Sequence, residues 1–445
     1  MKNKLIILLV VFAFQLQAQE AKTLLLKDAI NYALQNKVEA KKAALDVENA
    51  EYKIQEVRSQ ALPQISANGS LTYNPILQLN ALPGDFFGAP GTTLLAPLGQ
   101  KWTSVAGVSL TQTIFNEQVF TGLKAAKTTR EFYKINKELT DEQVIERVAT
   151  AYYQVYLQRQ KLTVIENNLK NTTKVKDVIK NLFDNGLARK IDLDRITVTL
   201  NNITTSRQQL LNAVEIQENA LKFYMGMPVN DKIIIPESEV KILPVVLEET
   251  AETSNRSEYR LMETQKTLLE FNRRAMKSLY YPTLSATAGY NYIGQGPEMP
   301  LGAKPSEGVY WSDFSSIGLN LNIPIFTGFG TRAKVRQADI DVRKAEVDLA
   351  DTKLALDLAY KNAKTQVENS LITIENQKEN AKLAQEVYDN TQNNYINGLA
   401  SLTDLLDSEN SLVEAQNNYN TALLDYKLAE IQLIKSRGEL KSLTN

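Results

Sequence analysis

A run from Thr331 to Asn397 without one proline or glycine constrains this chain more than anything else in it. A helix over such a run would be on the order of 100 Å long at 1.5 Å rise per residue. Helices of globular domains average about 10–14 residues. Just before it, Ile317, Leu319, Leu321 and Ile323 alternate with Gly318, Asn320 and Asn322, the period-2 pattern of a strand with one apolar face. Pro324 closes that strand, and Gly328 and Gly330 punctuate the passage into the helix. A second long helical stretch begins after Asn397-Gly398. A half-apolar strand that feeds a rod longer than a bilayer is thick does not fit an ordinary globular domain.

The same arrangement occurs twice. Leu24–Ala61 has helical spacing and is stopped by Leu62-Pro63; Gln64–Tyr73 and Trp102–Phe115 alternate as strands around a Pro/Gly-rich loop, Asn74–Gln100. A helical region then runs from Glu117 to Asp184, breaks at Asn185-Gly186 and resumes to Met225. Further on, Ser257–Tyr280 is helical, Thr283–Tyr292 alternates, and a loop from Gly294 to Gly308 leads into the opening stretch. Leu62-Pro63-Gln64-Ile65-Ser66-Ala67 answers Tyr281-Pro282-Thr283-Leu284-Ser285-Ala286, and Asn185-Gly186-Leu187-Ala188 answers Asn397-Gly398-Leu399-Ala400, at offsets of about 210–220 residues. This is a tandem duplication of helix, two strands and a long helical hairpin. The spacing sets the first copy at 19–226, a linker with short β-like pieces at 227–256, the second copy at 257–440 and a tail at 441–445.

Along the second long helix Val335, Ala338, Val342, Ala345, Leu349, Thr352, Leu356, Ala359 and Ala363 form a seam with alternating steps of three and four, which predicts coiled-coil packing. Ile340, Val347 and Leu354 form a second seam on another face, so a neighbour is expected on each side.

The composition removes several function classes. Lysine plus arginine number 50 against 51 acids, so no basic field for nucleic acid exists. There is no cysteine and no histidine, which excludes disulfides, thiolate metal sites and the commonest general base. Lys2 and Lys4, the apolar run Leu5–Phe14 and Leu16-Gln17-Ala18 predict a secretory signal cleaved after Ala18. About 10 apolar residues are too few to span a bilayer as a helix, so any membrane crossing is expected from strands. Each copy offers two strands of a length suited to an outer-membrane barrel, but four strands cannot close one, because the smallest have about eight. Closure therefore calls for several chains.

The order of these elements, the Leu-Pro-x-Ile-Ser-Ala entry, the Ile-Pro-Ile-Phe-x-Gly strand exit and the Gly-Leu-Ala-x-x-x-Asp hairpin signals together resemble the TolC-type outer-membrane efflux family over essentially the whole mature chain. That resemblance implies an α+β membrane protein: a homotrimer with a 12-stranded β-barrel in the outer membrane of a Gram-negative bacterium, continued by a coiled-coil α-helical barrel across the periplasm. It implies an exit duct for an inner-membrane pump, coupled through a periplasmic adaptor, with outer-membrane lipid around the barrel and no cofactor. Asn74–Gln100 and Gly294–Gly308 would be extracellular loops. Asp404 and Asp407, which share one helix face, would line a periplasmic constriction. Gly186, Leu187, Ala188, Gly398, Leu399 and Ala400 would form the adaptor-contact tips; Ala400 stands where some relatives carry a basic residue. A local role competes for Asp404, since Ser401-Leu402-Thr403-Asp404 reads as a capping box.

Gly328-Phe329-Gly330-Thr331-Arg332-Ala333 matches a dinucleotide fingerprint, but the helix after it is far too long and no parallel strand follows; it reads as a turn. Tyr73, Trp102, Tyr290, Tyr292, Tyr310 and Trp311 fall near strand ends, where aromatic girdles belong. No catalytic motif is present, and enzyme activity is not expected. The competing class is a non-conducting periplasmic or surface coiled-coil scaffold, which would have no use for four half-apolar strands.

Overall fold

The computed structural model describes residues 22–88, 90–236, 252–302 and 305–444. The signal segment with Ala18, and residues 237–251 of the expected linker, lie outside them. In chain order the elements are β1 (Lys22–Thr23), α1 (Leu26–Asn36), α2 (Val38–Ser59), β2 (Gln64–Tyr73), β3 (Leu79–Pro83), β4 (Thr93–Pro97), β5 (Trp102–Phe115), α3 (Glu117–Asp184) and α4 (Lys190–Met225). They continue as β6 (Ile233–Ile234), α5 (Ser257–Lys277), β7 (Thr283–Gly296), β8 (Tyr310–Asn322), α6 (Gly330–Ile396) and α7 (Leu402–Arg437). The order helix, two strands, two long helices occurs in each half. The chain divides into two compact units, one built from Asn49–Glu131 and Thr264–Glu346, the other from the remainder.

The first unit holds a four-stranded antiparallel sheet in the order β2-β5-β7-β8. Its register puts Ile65, Leu110, Ala288 and Ile317 in one row and Ala67, Val108 and Tyr290 in the next, all on one face. The other face carries Ser66, Ser109, Gly289 and Ser316, then Asn68, Gly107, Asn291 and Phe314. The apolar face is uncovered: Ile317 is 91% exposed. Towards the Tyr73 end, Tyr73 packs on Trp102 at 4.6 Å between ring centroids, and Tyr292 stacks on Trp311 at 4.8 Å. Gly294 makes room for that second pair, since a Cβ there would lie 2.6 Å from the Trp311 ring. Tyr310 pairs with Gln295 and belongs to the polar face, so it is not part of this cluster. Asp313, on the apolar face, accepts a hydrogen bond of 2.9 Å from the Tyr290 hydroxyl.

Several elements depart from the sequence reading. β8 begins at Tyr310, seven residues before the alternation becomes apolar, because its ladder with β7 carries it through Ser312, Asp313, Ser315 and Ser316. The loop 74–100 contains a hairpin, β3 against β4. The first helix is two, broken at Lys37, whose ammonium donates to the Phe223 carbonyl at 2.9 Å. The passage from sheet to long helix also differs between copies. In the first, the ladder shifts between Thr113 and Phe115, and Asn116 caps α3 by accepting from the Gln118 amide at 3.0 Å. In the second, Phe329 takes a left-handed φ of 63° between two glycines, the turn expected from the glycines.

The second unit is helical around a core of Leu24, Ile30, Val148, Tyr152, Leu221, Met225, Ile233 and Ile431, among others. β1 pairs in parallel with β6, the buried Tyr152 hydroxyl donates to the Leu24 carbonyl at 3.1 Å, and Arg159 binds Glu218 at 2.7 Å and the Ile233 carbonyl at 2.9 Å. The first part of the expected linker is therefore core. So is part of the tail, where Leu443 packs against the same cluster. Gly226 has a φ of 71°, and a Cβ there would lie 3.0 Å from the Asn36 carbonyl. Gly186 has a similar φ of 73° with open space around it. Gly226→Ala is expected to destabilise by more than the about 1–2 kcal/mol that a left-handed L-residue costs, and by more than Gly186→Ala; paired thermal unfolding curves in detergent check this.

The first seam of α6 is buried at Ala338, Val342, Ala345, Leu356 and Ala363. Ala359 is exposed, contrary to the seam expected there, and Tyr360 occupies the buried position, followed by Ala363, Val367 and Ile374. Two successive steps of four, Leu356 to Tyr360 after Thr352 to Leu356, make a stutter that locally unwinds a left-handed supercoil. The second seam is bare: Val347 and Leu354 are each 68% exposed.

Candidate functional site at the hairpin ends

The two long hairpins end in the same backbone motif. Asn185 and Asn397 each donate their side-chain amide to the carbonyl four residues back, at 2.7 and 2.8 Å. Gly186 then turns with a φ of 73° and Gly398 with 72°. The Leu187 amide reaches the Leu182 carbonyl and the Leu399 amide the Asn394 carbonyl, both at 2.7 Å. These are Schellman terminations, which satisfy the last helical carbonyls without any partner. Leu187 and Leu399 project into solvent, while Ala188 and Ala400 are half-buried. An exposed leucine at each of two matched turns is apolar surface that the chain itself leaves uncovered.

Behind the turns the four helix ends share one core: Val175 and Ile179 of α3, Ile196 of α4, Tyr388 of α6, and Leu402, Leu405, Leu406 and Leu412 of α7. Arg195 of α4 donates to the Thr403 hydroxyl at 2.6 Å, tying the two hairpins together. Arg189 pairs with Asp192 at 3.0 Å. Burial raises the Tyr395 hydroxyl above its ordinary pKa, and the Asp192 charge adds to the effect.

The two aspartates on α7 are exposed and differ in their commitments. Asp404 forms a full capping box: the Ser401 amide donates to its carboxylate at 2.9 Å, the Ser401 hydroxyl lies 2.7 Å from it, and the Asp404 amide donates to the Ser401 hydroxyl at 3.2 Å. Those hydrogen bonds from Ser401 hold Asp404 below the usual carboxylate range. Among the described residues nothing donates to the Asp407 carboxylate. Asp404 is thus a cap that also carries charge, and Asp407 is an acid whose carboxylate has no hydrogen-bond or ion-pair partner among the described residues.

Glu409, two residues further on, was not singled out by the sequence reading. It is 4% exposed and accepts a hydrogen bond of 3.0 Å from the Thr172 hydroxyl of α3. Burial pushes its carboxyl up to about 7, with Thr172 pulling the other way. The available signal was its position, an acid falling on the apolar stripe Leu402, Leu405, Leu406, Leu412. Among the described residues no group of acids could hold a metal ion, and no helix is long and apolar enough to cross a membrane.

The comparisons agree with this architecture. The family model described as "Outer membrane efflux protein" matches residues 29–227 and 258–439. Outer membrane protein TolC of Vibrio cholerae is 25% identical over 343 residues, covering 75% of this chain and 76% of that protein. TolC of Escherichia coli K12 is 24% identical over 421 residues, 90% of this chain and 80% of that one. Among solved structures, the outer membrane protein VceC of Vibrio cholerae superposes with a TM-score of 0.74 at 14% identity, over 93% of this chain and 96% of that one. The open MtrE outer membrane channel of Neisseria gonorrhoeae does so with a TM-score of 0.72 at 19% identity, over 94% and 90%. The matched residues take in both halves of the duplication, sheets and hairpins alike, and the chain belongs to the outer membrane efflux protein family.

Proposed function

We propose that this chain is the exit duct of a multi-component export system, assembled as a homotrimer that crosses the outer membrane as a 12-stranded barrel and reaches into the periplasm as a tube of helices. The observation that carries the reading is the sheet. Among the described residues β2 and β8 pair only on their inner sides, and the face with Ile65, Ile317 and Leu319 is bare. A hydrocarbon environment accepts such a face but tolerates no open edge, so the edges must be closed by further copies, and three copies supply twelve strands. The bare seam through Ile340, Val347 and Leu354 supports lateral packing between copies along the helices. Paired Val347→Asp and Leu354→Asp substitutions are expected to abolish the trimer, read as a shift to monomer mass in detergent by light scattering.

In this reading six carboxylates, Asp404 and Asp407 from each copy, ring the periplasmic end, and the matched turns at Gly186-Leu187-Ala188 and Gly398-Leu399-Ala400 meet a periplasmic adaptor that couples the duct to an inner-membrane pump. The chain acts passively, with no enzymatic step and no cofactor. Planar-bilayer recording tests the duct. The wild type is expected to give cation-preferring pores, and Asp404→Ala/Asp407→Ala to give pores that lose the preference and conduct several-fold more. Asp407→Ala alone is expected to remove only part of the selectivity, because Asp404 keeps its charge within its cap. A protein that stays soluble without detergent and forms no pores would favour the scaffold instead.

A further inference from the structure

A polar cavity of about 270 Å³ lies behind the hairpin ends between α3, α6 and α7. It is large enough for several waters, and the one acid among its described lining residues is Glu409, 4% exposed. Lys170 and Lys174 from α3 and Tyr388 from α6 are the other titratable groups lining this cavity, and Asn167, Asn168, Asn171, Gln385 and Gln416 are its remaining polar residues. Among the described residues neither lysine forms an ion pair with Glu409. The Tyr388 hydroxyl, pushed up to about 12 by burial and then by the charges of Glu409 and Asp389, stays protonated at any neutral pH.

Three oxygens lie in a row here. The Thr172 hydroxyl is 2.9 Å from Asn168 Oδ1 and 3.0 Å from Glu409 Oε1. A hydroxyl has one proton to give, so with Glu409 ionised and Asn168 presenting its oxygen, one of these two contacts has no hydrogen in it. With Glu409 protonated, its own O–H donates to Thr172 Oγ1, Thr172 donates to Asn168, and both contacts are satisfied. The neutral form also removes an unpaired charge from a buried site, which is costly to keep.

We propose that Glu409, with Thr172 and Asn168, is a proton-binding site in which an added proton locks the first turns of α7 against α3, and its loss loosens the segment that carries Asp404 and Asp407. The second half of this statement rests on the reading of those aspartates as the narrow point of the duct; the proton site itself does not. Asp404 stays ionised through the neutral range because its cap holds its pKa down, so a transition near neutrality belongs to Glu409 and not to the exposed acids.

The test combines two readouts on the full-length protein. Infrared difference spectra through the neutral range are expected to show a protonated-carboxyl C=O band that titrates near pH 7 in the wild type and is missing in Glu409→Gln. Bilayer recordings are expected to show conductance rising as pH passes upward through the same midpoint, with Glu409→Gln fixed in the low-pH behaviour at every pH. A neutral transition that persists in Glu409→Gln, or a wild type without the titrating band, overturns the proposal. A band that titrates beside a flat conductance overturns the coupling while leaving the duct intact. Absence of pores overturns the duct reading, and the infrared band then still decides the proton site.

Discussion

Ile317→Arg is expected to cost about 2–4 kcal/mol of folding free energy in lipid, the range for a cation facing the middle of the bilayer from a barrel strand. Ser316→Arg, one residue earlier on the same strand, is expected to cost little. The register carries the contrast: Ile317 shares a row with Ile65, Leu110 and Ala288, and Ser316 pairs with Gly289 across from Ser109 on the polar face. Both residues sit near the centre of β8, so depth is not a variable between them. Ile317→Arg with Leu319→Arg should nearly double the loss and leave most of the protein outside the membrane fraction. Denaturant titration in lipid vesicles, scored by the embedded fraction, makes the comparison. If Ser316→Arg proved as damaging as Ile317→Arg, the assignment of lipid and lumen faces would be wrong.

That face was legible because a period of two survives wherever the outward residues are apolar. Where they are not, as at Asp313 and Ser315, the first half of β8 could not be seen, and only its ladder with β7 reveals it. The ends of α3, α4 and α6 were readable because glycine at a left-handed φ marks each one: Gly186, Gly226 and Gly398. The break at Lys37 has no such mark; it is set by a tertiary contact with the Phe223 carbonyl. Ala359 was misplaced for a similar reason. Both Ala359 and Tyr360 continue an apolar repeat in the sequence, and only packing against α7, where Tyr426 and Leu433 share a cluster with Tyr360, decides which one is inside.

The candidate site was legible in part. Asp404 and Asp407 announced themselves by spacing and by the serine three residues before Asp404, and the capping box is there. Their division of labour was not legible, because it depends on which carboxylate oxygens have donors. Glu409 was passed over because a single acid among many helical charges looks like a solvated surface residue. Its hydrogen-bond partner Thr172 is 237 residues away in the chain, and no local pattern encodes that contact.

Glu409→Gln is expected to leave stability unchanged at low pH and to raise it by up to about 3 kcal/mol per chain above neutrality. The folded-state carboxyl lies at about 7, above its ordinary 4.5, chiefly through burial. Below the ordinary value the folded and unfolded chains are both protonated, and the group's favourable contribution is fully present. As pH rises from there to about 7, the unfolded chain releases its proton while the folded chain still holds one, so wild-type stability falls across that window. Above it both are ionised, and the full cost of a buried charge remains. Glutamine has the same shape, keeps a hydrogen-bonding partner for Thr172 and never ionises, so its stability should be flat over the window. The two melting curves should coincide near the ordinary carboxylate pKa and separate progressively up to about pH 7. A constant gap between them would mean that folding does not raise the Glu409 carboxyl above its ordinary value, and a variant less stable than wild type above neutrality would mean that the carboxylate charge, rather than its removal, holds α7 in place.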